Sequence, residues 1–361
     1  MTRGFSGSYA EEDVTFLLER VTLAPTGREE KERLLQSGAR HYSEMISAES
    51  PPDAAYLQLF HAAMDANAER LAADVARLAR ALAARAVAPV LISLARAGTP
   101  LGVLLRRALG ALGVDAPHYS ISIIRDRGVD EVALDWILSR HAPEAFVFVD
   151  GWTGKGAIAE ELFASGAAWA SSRGVQVQLG LVVVSDLAGV AWISASDDDY
   201  LIPNAVLNAV VSGLVSRTVL NAALWRPGDF HACVHYAELA PHDLTRWYVD
   251  RLTPLVVAAL DAPGAPASRE RAAARARSRA FVAGCMERFG VRDPNRVKPG
   301  IGESTRALLR RVPDRLILRE PTAAAVLHLV LLAERQGVPT EVVADLPYQA
   351  AVLIRTLGRD S

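Results

Sequence analysis

The chain has little cysteine and no long apolar run. Its 361 residues include two cysteines, Cys233 and Cys285, which lie in different segments without a CxxC spacing. Neither a disulfide framework nor a thiolate zinc site is therefore expected. The most apolar stretch, residues 86–95, contains a proline and is far shorter than the roughly 20 residues of a membrane span. The acidic N-terminus does not resemble a signal peptide, so we expect a cytoplasmic protein without membrane contact.

Lysine is also scarce. Only three of the 39 basic residues are lysines, namely Lys31, Lys155 and Lys298, and each is informative because an ammonium is not equivalent to a guanidinium. The formal net charge of −2 argues against a general attraction to polyanions. Positive charge is nevertheless concentrated locally, since residues 269–320 contain fourteen basic and six acidic residues. Any polyanion must therefore be bound by a local patch.

Apolar segments alternate with helical patterns along the first half of the chain. A long helix is predicted over residues 53–85, because its apolar positions recur at spacings of three and four. Four apolar runs separated by helices then predict a parallel sheet covered on both faces, with ligand-binding loops at the carboxyl ends of its strands. These strands are predicted at residues 88–93, 118–124, 145–149 and 175–184.

A linker rich in proline, glycine and alanine divides the remaining chain. Residues 261–268 form this linker and mark the predicted boundary between two domains. The first domain covers residues 1–262, with an N-terminal extension over 1–52, and the second covers residues 263–361 as a small α/β layer. A further helix is predicted over residues 206–221, before the linker.

The segment after the third strand carries the clearest site pattern. Asp150 ends the strand, and a Gly-rich turn opens the next helix, where backbone N–H groups and the helix dipole favour a phosphate. The spacing fits neither a Walker loop nor a dinucleotide fingerprint. An ordinary Gly-rich turn between a strand and a helix is the alternative. The residues of the predicted phosphate site are Gly151, Thr153, Gly154, Lys155 and Gly156.

This turn resembles the diphosphosugar-binding loop of type I phosphoribosyltransferases, in which apolar strand residues precede an acidic pair and a Thr/Gly loop. The resemblance implies that Asp150 contacts ribose hydroxyls and that residues 153–156 hold the 5′-phosphate. The chain departs from this pattern at Gly151, which stands at the second acidic position. It departs again at Trp152 and Lys155, which are atypical but are still counted among the substrate-binding residues.

Two further loops at strand ends fit the same resemblance. The loop over residues 93–102 corresponds to a pyrophosphate-binding loop, in which Arg96 would neutralise the leaving group. Arg125 and Arg127 carry guanidinium groups that suit diphosphate oxygens, although surface ion pairing explains them nearly as well. The residues after Arg96 that would support the pyrophosphate are Ala97, Gly98 and Thr99.

Longer segments extend the resemblance over nearly the whole chain. FSGSY, QSGARHYSEM, SLARAGTPLGVLLRR, FVFVDGWTGKG and YLIPNAVLNAVVSGLVSRT are similar to the phosphoribosyltransferase encoded in bacterial tellurite-resistance stress operons. This implies a type I phosphoribosyltransferase-like sheet and transfer of phosphoribosyl from its diphosphate to an unidentified base. Asp150, Arg96 and Lys155 would be catalytic, with Mg²⁺ carried by the diphosphate. The oligomeric state stays open, with a homodimer considered.

Three residues are assigned to the pocket of the acceptor base from their position alone. They are His41 and Tyr42, in the N-terminal extension, and Arg217, which fits a salt bridge equally well.

The second domain has its own resemblance. NRVKPGIGESTRALLRRVP is similar to the pelota RNA-binding domain, which implies an RNA or nucleotide partner. The alternative is a solvated cationic helix. The predicted contacts to this partner are Lys298, Arg306, Arg310 and Arg311.

The same family is also labelled a cysteine protease. Cys233 lies in a strand-like segment and Cys285 within a predicted helix, so neither has the usual setting of a nucleophilic thiolate. His231, Cys233 and His235 alternate and would share a strand face, which suits a metal or a Cys/His pair but is more often simply packed. A protease and a non-catalytic RNA or nucleotide sensor are therefore the alternatives to the transferase.

Overall fold

The computed structural model describes residues 4–262 and 271–357. The strands in chain order are β1 (Thr15–Phe16), β2 (Glu19–Arg20), β3 (Val90–Leu94), β4 (His118–Ile121), β5 (Ile123–Ile124), β6 (Gly128–Val129), β7 (Phe146–Val149), β8 (Trp152–Thr153), β9 (Leu181–Asp186), β10 (Ile193–Ser196), β11 (Ala232–Cys233), β12 (Val297–Pro299), β13 (Pro313–Leu318), β14 (Thr340–Val342) and β15 (Ala350–Ile354). The α-helices are α1 (Arg28–Gln36), α2 (Ala54–Ala83), α3 (Thr99–Ala111), α4 (Glu131–Leu138), α5 (Ala157–Arg173), α6 (Thr245–Ala258), α7 (Arg271–Phe289), α8 (Ile301–Arg310) and α9 (Leu327–Arg335).

A parallel sheet forms the centre of the N-terminal half. Its strands lie in the order β1-β4-β3-β7-β9-β10, β8 pairs with β9, and every pairing is parallel. Leu91 packs into the core shared with α2, α3 and α6, whereas Val90 and Ile92 pack into the core shared with α4 and α5. The prediction of a mainly parallel α/β sheet with flanking helices is therefore confirmed.

The long helix α2 begins where its sequence predicts. The side chain of Asp53 accepts a hydrogen bond from the Tyr56 N–H at 3.0 Å and so caps the first turn. Phe60, Leu71 and Leu78 are buried along one face of the helix, which packs against α3 and α6. The spacing of apolar residues thus identified both the helix and its buried face.

The C-terminal half contains a second, four-stranded sheet. Its strands lie in the order β12-β15-β13-β14; β15 is antiparallel to β12 and β13, and β13 is parallel to β14. Helix α8 packs against β15 and α9. Residues 263–270, which include most of the predicted linker, lie outside the described residues.

Three predicted elements differ from the structure. The helix predicted over residues 206–221 is wrong, because Gly213 and Leu214 have φ values of 83° and 58°, which no α-helix accommodates. Most of this segment is buried, so its apolar residues do not mark one face of a helix. The fourth strand begins at Leu181 rather than at residue 175, and the strand-like segment 231–236 contains only the two residues of β11.

None of the helices in the described part of the chain combines the length and hydropathy that a bilayer span requires.

Candidate functional site

A cavity of about 1040 Å³ opens beyond the carboxyl ends of the parallel strands. The turn of residues 150–156 and the loop of residues 125–127 form one side, the segment of residues 31–44 lies beside them, and residues 290–311 face them from the C-terminal half. Helix α5 begins after Gly156, whose φ of 94° favours glycine. The Gly-rich turn and the basic C-terminal stretch, predicted as two sites, therefore line one cavity.

The lining of this cavity is strongly basic. Twelve basic and six acidic residues contribute to it, a formal excess of six positive charges on a chain whose net charge is −2. All three lysines of the chain are among them. The basic residues are Lys31, Arg40, Arg125, Arg127, Lys155, Arg217, Arg292, Arg296, Lys298, Arg306, Arg310 and Arg311. Such a concentration of charge at a concave surface attracts anions.

The Gly-rich turn is joined to the C-terminal half by direct contacts. The Lys155 ammonium donates hydrogen bonds to the Pro294 carbonyl at 2.6 Å and to Asn295 Oδ1 at 2.9 Å. The Arg306 guanidinium lies 4.4 Å from the centre of the Trp152 ring, a cation–π contact. These contacts fix the two sides of the cavity relative to one another.

The three ammonium groups all have lowered pKa values. Burial, with Lys298 and Arg125, lowers the pKa of Lys155 to about 7. Burial, with Arg217 and other arginines, lowers the pKa of Lys31 to about 7. Burial also lowers the pKa of Lys298 to about 8. A bound anion would favour the charged form of each lysine and so offset part of the free-energy cost of burying that charge.

Asp150 and Thr153 differ in their surroundings. Asp150 Oδ1 accepts the Gly151 N–H at 2.8 Å, and burial raises the pKa of Asp150 to about 6. The Thr153 hydroxyl donates to Asp186 Oδ1 at 2.6 Å and accepts the Ala188 N–H at 3.1 Å. That hydroxyl is therefore engaged within the protein, and an anion would meet mainly the backbone and the cations.

The arginines at the end of α8 also reach the N-terminal half. Arg310 donates to the side chain of Asn208, and burial together with Arg96 lowers the pKa of Arg310 to about 9. Arg311 donates to both carboxylate oxygens of Glu32, at 2.7 and 2.8 Å. Part of the basic stretch predicted to contact RNA thus holds the two halves together.

The predicted acceptor-pocket residues lie at the same cavity as the loop arginines. His41, Tyr42 and Arg217 line it together with Arg125 and Arg127. The Arg125 N–H donates to the Tyr42 hydroxyl at 2.7 Å, and the Arg217 guanidinium donates to the Tyr42 carbonyl. Arg217 is therefore a structural cation that fixes the backbone of the N-terminal segment.

Arg96 lies beside the large cavity rather than in it. It lines an adjoining cavity of about 230 Å³, to which Asp150 and Trp152 also contribute. Arg96 is 6% exposed, donates to Glu49 Oε1 at 2.6 Å and donates to the Val215 carbonyl. Its charge is therefore balanced within the protein.

The residues after Arg96 lead into α3. The Gly98 N–H donates to the Leu94 carbonyl at 3.1 Å, and the Thr99 hydroxyl is hydrogen-bonded to Ser120 Oγ at 2.8 Å. Ala97 lines the smaller cavity. The predicted loop stands at the expected strand end, but the polar groups of Gly98 and Thr99 have partners within the protein.

The acidic partners of the site were missed by sequence analysis. Glu32 contacts Arg311 and Glu49 contacts Arg96, which are distant in sequence, so no local pattern marks these acids. Lys31, in contrast, carries a usable signal, because it is one of only three lysines. Its ammonium donates to Ser47 Oγ at 2.8 Å.

Neither cysteine lies in this cavity. Cys233 is fully buried, and burial raises the pKa of its thiol to about 12. Cys285 is 6% exposed, and burial raises the pKa of its thiol to about 11. The His231 ring is hydrogen-bonded to Ser122 Oγ at 2.9 Å, and the His235 ring lies edge-on to Phe5. Both thiols are therefore neutral in this conformation.

Comparison with known proteins identifies the family. Residues 7–253 match the family described as Tellurite-like stress resistance cysteine protease StiP, and residues 276–356 match the PELOTA RNA binding domain. A protein of Acinetobacter baylyi named Cysteine protease StiP is 42% identical over 371 aligned residues, which cover 99% of this chain and 96% of that protein. The chain belongs to the StiP family. No solved structure matches it significantly.

The predicted phosphoribosyltransferase activity is wrong. The matched StiP family and the Acinetobacter relative are both described as a cysteine protease, and neither description mentions phosphoribosyl transfer. The transferase class conflicts with these descriptions, and so do the phosphoribosyl diphosphate donor and the magnesium dependence that accompany it. Proteins of many functions share Gly-rich turns at strand ends, so the resemblance of these turns to phosphoribosyltransferase loops does not establish that activity.

Two other parts of the resemblance are confirmed. The tellurite-resistance family and the C-terminal pelota domain both match. The relative's name also agrees with the protease alternative weighed from the sequence.

No group of three or more His, Cys, Asp or Glu side chains in the described part of the chain is arranged to hold a metal ion.

Proposed function

We propose that this chain binds a phosphorylated nucleotide unit, either free or carried by an RNA strand, in the cavity between its two halves. One observation carries this proposal. The three lysines of the chain, all with lowered pKa values, line a single cavity with an excess of positive charge. Lysine and arginine contacts to phosphate supply a large share of the affinity of proteins for nucleic acids.

Size and composition support a nucleotide rather than a bare ion. A volume of about 1040 Å³ is in the range of small-molecule sites, which is too small for a duplex but sufficient for a nucleotide or a strand end. Tyr42 and Trp152 line both cavities and can contribute aromatic contacts to a base. The match to an RNA-binding domain over residues that face this cavity points to the same class of ligand.

Fluorescence anisotropy with a short single-stranded RNA tests the proposal, with adenosine diphosphate as a competitor to separate strand from free nucleotide. We expect Lys298→Ala to weaken binding about tenfold, and the affinity to fall steeply with salt because counterions are released. Arg173→Ala is the matched control, because Arg173 lies on α5 outside the cavity and pairs with Asp135. Binding that Lys298→Ala leaves unchanged would contradict the proposal.

A second candidate is a cysteine-dependent protease, favoured by the description of the StiP family and the name of the Acinetobacter relative. Cys233 is then the first cysteine to test, because His231 and His235 flank it in the chain. Its buried thiol would have to become exposed and lose its proton before it could act as a nucleophile. Peptidase activity that Cys233→Ser abolishes and Cys285→Ser retains would support this candidate, and activity that survives both substitutions would exclude it.

We propose that the parallel sheet is of the type I phosphoribosyltransferase kind, supported by the loops after β3 and β7 that line adjoining cavities. Such a fold would not bring that activity with it. An experimental structure of this chain, superposed on those enzymes, is the test.

A further inference from the structure

Glu303 of the C-terminal half lies directly against the Gly-rich turn. It belongs to the first turn of α8, and its Cγ would lie only 2.6 Å from a Cβ atom at position 154. Real Cβ atoms do not make contacts this short, so the approach of Glu303 depends on the glycine at this position. An acidic side chain thus covers the turn that was predicted to bind a phosphate.

The charges around Glu303 are those of an anion site. Its Oε1 accepts a hydrogen bond from Arg306 at 3.0 Å. Burial alone would raise the pKa of Glu303, but Arg306, Lys298 and Lys155 together hold it below its usual value. Neither lysine forms an ion pair with Glu303 among the described residues. The carboxylate is therefore ionised among three cations and neutralises them only in part.

We infer that the Gly-rich turn is the subsite for a terminal phosphate of the ligand and that the Glu303 carboxylate is its internal occupant, displaced when the phosphate binds. The inference rests on the proposed function, and it adds which part of the cavity takes the phosphate and which residue competes for it. A phosphate monoester carries nearly two negative charges and three acceptor oxygens, so it can engage both lysines and the turn at once. A carboxylate has one charge and two oxygens, so it gains less from the same donors.

Selectivity follows from this competition. A weakly charged anion gains too little from the cations to displace Glu303, whereas a terminal phosphate or diphosphate gains enough. The favoured ligands are therefore a nucleoside mono- or diphosphate and an RNA strand with a 5′-phosphate. A strand that ends in a 5′-hydroxyl lacks the group that displaces Glu303, and we expect it to bind more weakly.

Isothermal titration of the full chain with inorganic pyrophosphate measures the competition. Glu303→Gln removes the charge and retains the volume, and we expect it to bind pyrophosphate at least tenfold more tightly than the unchanged protein. Asp65→Asn is the control: Asp65 is an exposed acid outside the cavity and is paired with Arg251. We expect this control to change the affinity by about twofold at most, through long-range electrostatics alone.

A second variant tests whether the position of the carboxylate matters as well as its charge. Glu303→Asp keeps the charge but withdraws the carboxylate from the turn by one methylene, so we expect a gain intermediate between the unchanged protein and Glu303→Gln. Thermal unfolding of each variant checks that it is folded, and Glu303→Asp carries the test if Glu303→Gln does not fold. The inference is overturned if neither variant binds pyrophosphate more tightly than Asp65→Asn does.

The same titrations distinguish this inference from the proposed function. If the unchanged protein binds the RNA probe while the Glu303 variants gain nothing, the inference alone is wrong. If the unchanged protein and every variant fail to bind both RNA and pyrophosphate, the proposed function fails and takes the inference with it. A preference of the unchanged protein for a 5′-phosphorylated over a 5′-hydroxyl RNA that increases in Glu303→Gln would support both.

Discussion

Like Lys31, the cavity residues Lys155 and Lys298 are poised to change charge near neutral pH. The pKa of Lys155 lies at about 7 and that of Lys298 at about 8, because both are buried. Arg125 lowers both pKa values further, whereas Asp293 and Glu303 raise them. An arginine at either position would stay charged throughout this range. The use of lysine in an arginine-rich chain therefore makes the charge of the cavity depend on pH.

The affinity for a phosphate ligand should consequently fall as the pH rises. A bound anion raises the pKa of both lysines, so binding takes up protons wherever the free lysines are partly neutral. Between about pH 6, where a phosphate monoester takes up its second charge, and about pH 7, both ammonium groups are mostly charged and affinity is highest. Above about pH 8 the affinity falls up to about tenfold per pH unit for each neutral lysine. Titration calorimetry in buffers of different ionisation enthalpy measures this proton uptake. Lys155→Arg should flatten the profile, and an unchanged profile would count against a role for Lys155.

The sequence could indicate the cations of this site but not the acidic residues that interact with them. Lys155 and Lys298 stand out because lysine is rare and because both adjoin glycine-containing turns. Glu303 carries no comparable signal, since an acid in the first turn of a helix is an ordinary dipole interaction. Its contact with the Gly-rich turn becomes apparent only from the packing of α8 against residue 154. Arg96 is paired with Glu49, which lies in a segment without a clear pattern, so the sequence could not indicate this pair.

Among the elements, α8 is held in place by an acid from the N-terminal half. Asp199 accepts the Ile301 N–H at 2.9 Å, at the start of α8, and the Gln349 N–H at 2.8 Å, just before β15. One carboxylate thus satisfies backbone donors of two C-terminal elements. It also fixes the end of α8 that carries Glu303, so the cavity depends on this contact.

Replacing Asp199 should loosen the C-terminal half. Asp199→Ala leaves two backbone N–H groups without an acceptor, and we expect the free energy of unfolding to fall by about 2 kcal/mol or more. Asp199→Asn keeps one acceptor oxygen and should cost less. Asp65→Ala, which removes an exposed ion pair with Arg251, is the control and should change little. Urea denaturation measures these differences; equal losses for Asp199→Ala and Asp65→Ala would show that the contact is unimportant.

The sequence predicted regular elements where apolar residues recur with the period of a helix or a strand. The segment of residues 206–221 is an exception. Its apolar residues suggest a helix, yet its backbone groups bond to distant parts of the chain. Tyr56 donates to the Val206 carbonyl, and the Ala209 N–H donates to Glu49. Because these partners come from tertiary contacts rather than from the next helical turn, the local sequence could not indicate them.

At the scale of the whole molecule, the cavity exists only while the two halves stay together. The Glu32–Arg311 pair joins α1 of the N-terminal half to the end of α8, and the Glu32 side chain is 1% exposed. Gln36 donates a further hydrogen bond to Glu32 at 2.8 Å. Burial would raise the pKa of Glu32, but Arg311 holds it below its usual value, so the carboxylate is charged at neutral pH. Because the Glu32 carboxylate is buried and charged, loss of Arg311 should leave that charge unpaired and separate the halves.

We expect Arg311→Ala to lower the free energy of unfolding by about 2–3 kcal/mol, because it leaves the Glu32 carboxylate buried without its cation. Glu32→Gln combined with Arg311→Ala should recover part of this loss, since no unpaired charge then remains. A carboxyl whose pKa is lowered by folding stabilises the protein above its unfolded pKa, so the deficit of Arg311→Ala should shrink as the pH falls below the usual range of a glutamate. The control is Arg315→Ala, which removes an Arg–Glu pair with Glu341 that lies wholly within the C-terminal half. Urea denaturation at two pH values measures all three variants. If Arg311→Ala costs no more than Arg315→Ala, the buried pair does not hold the halves together, and the closure of the cavity must come from Asp199 and Lys155 instead.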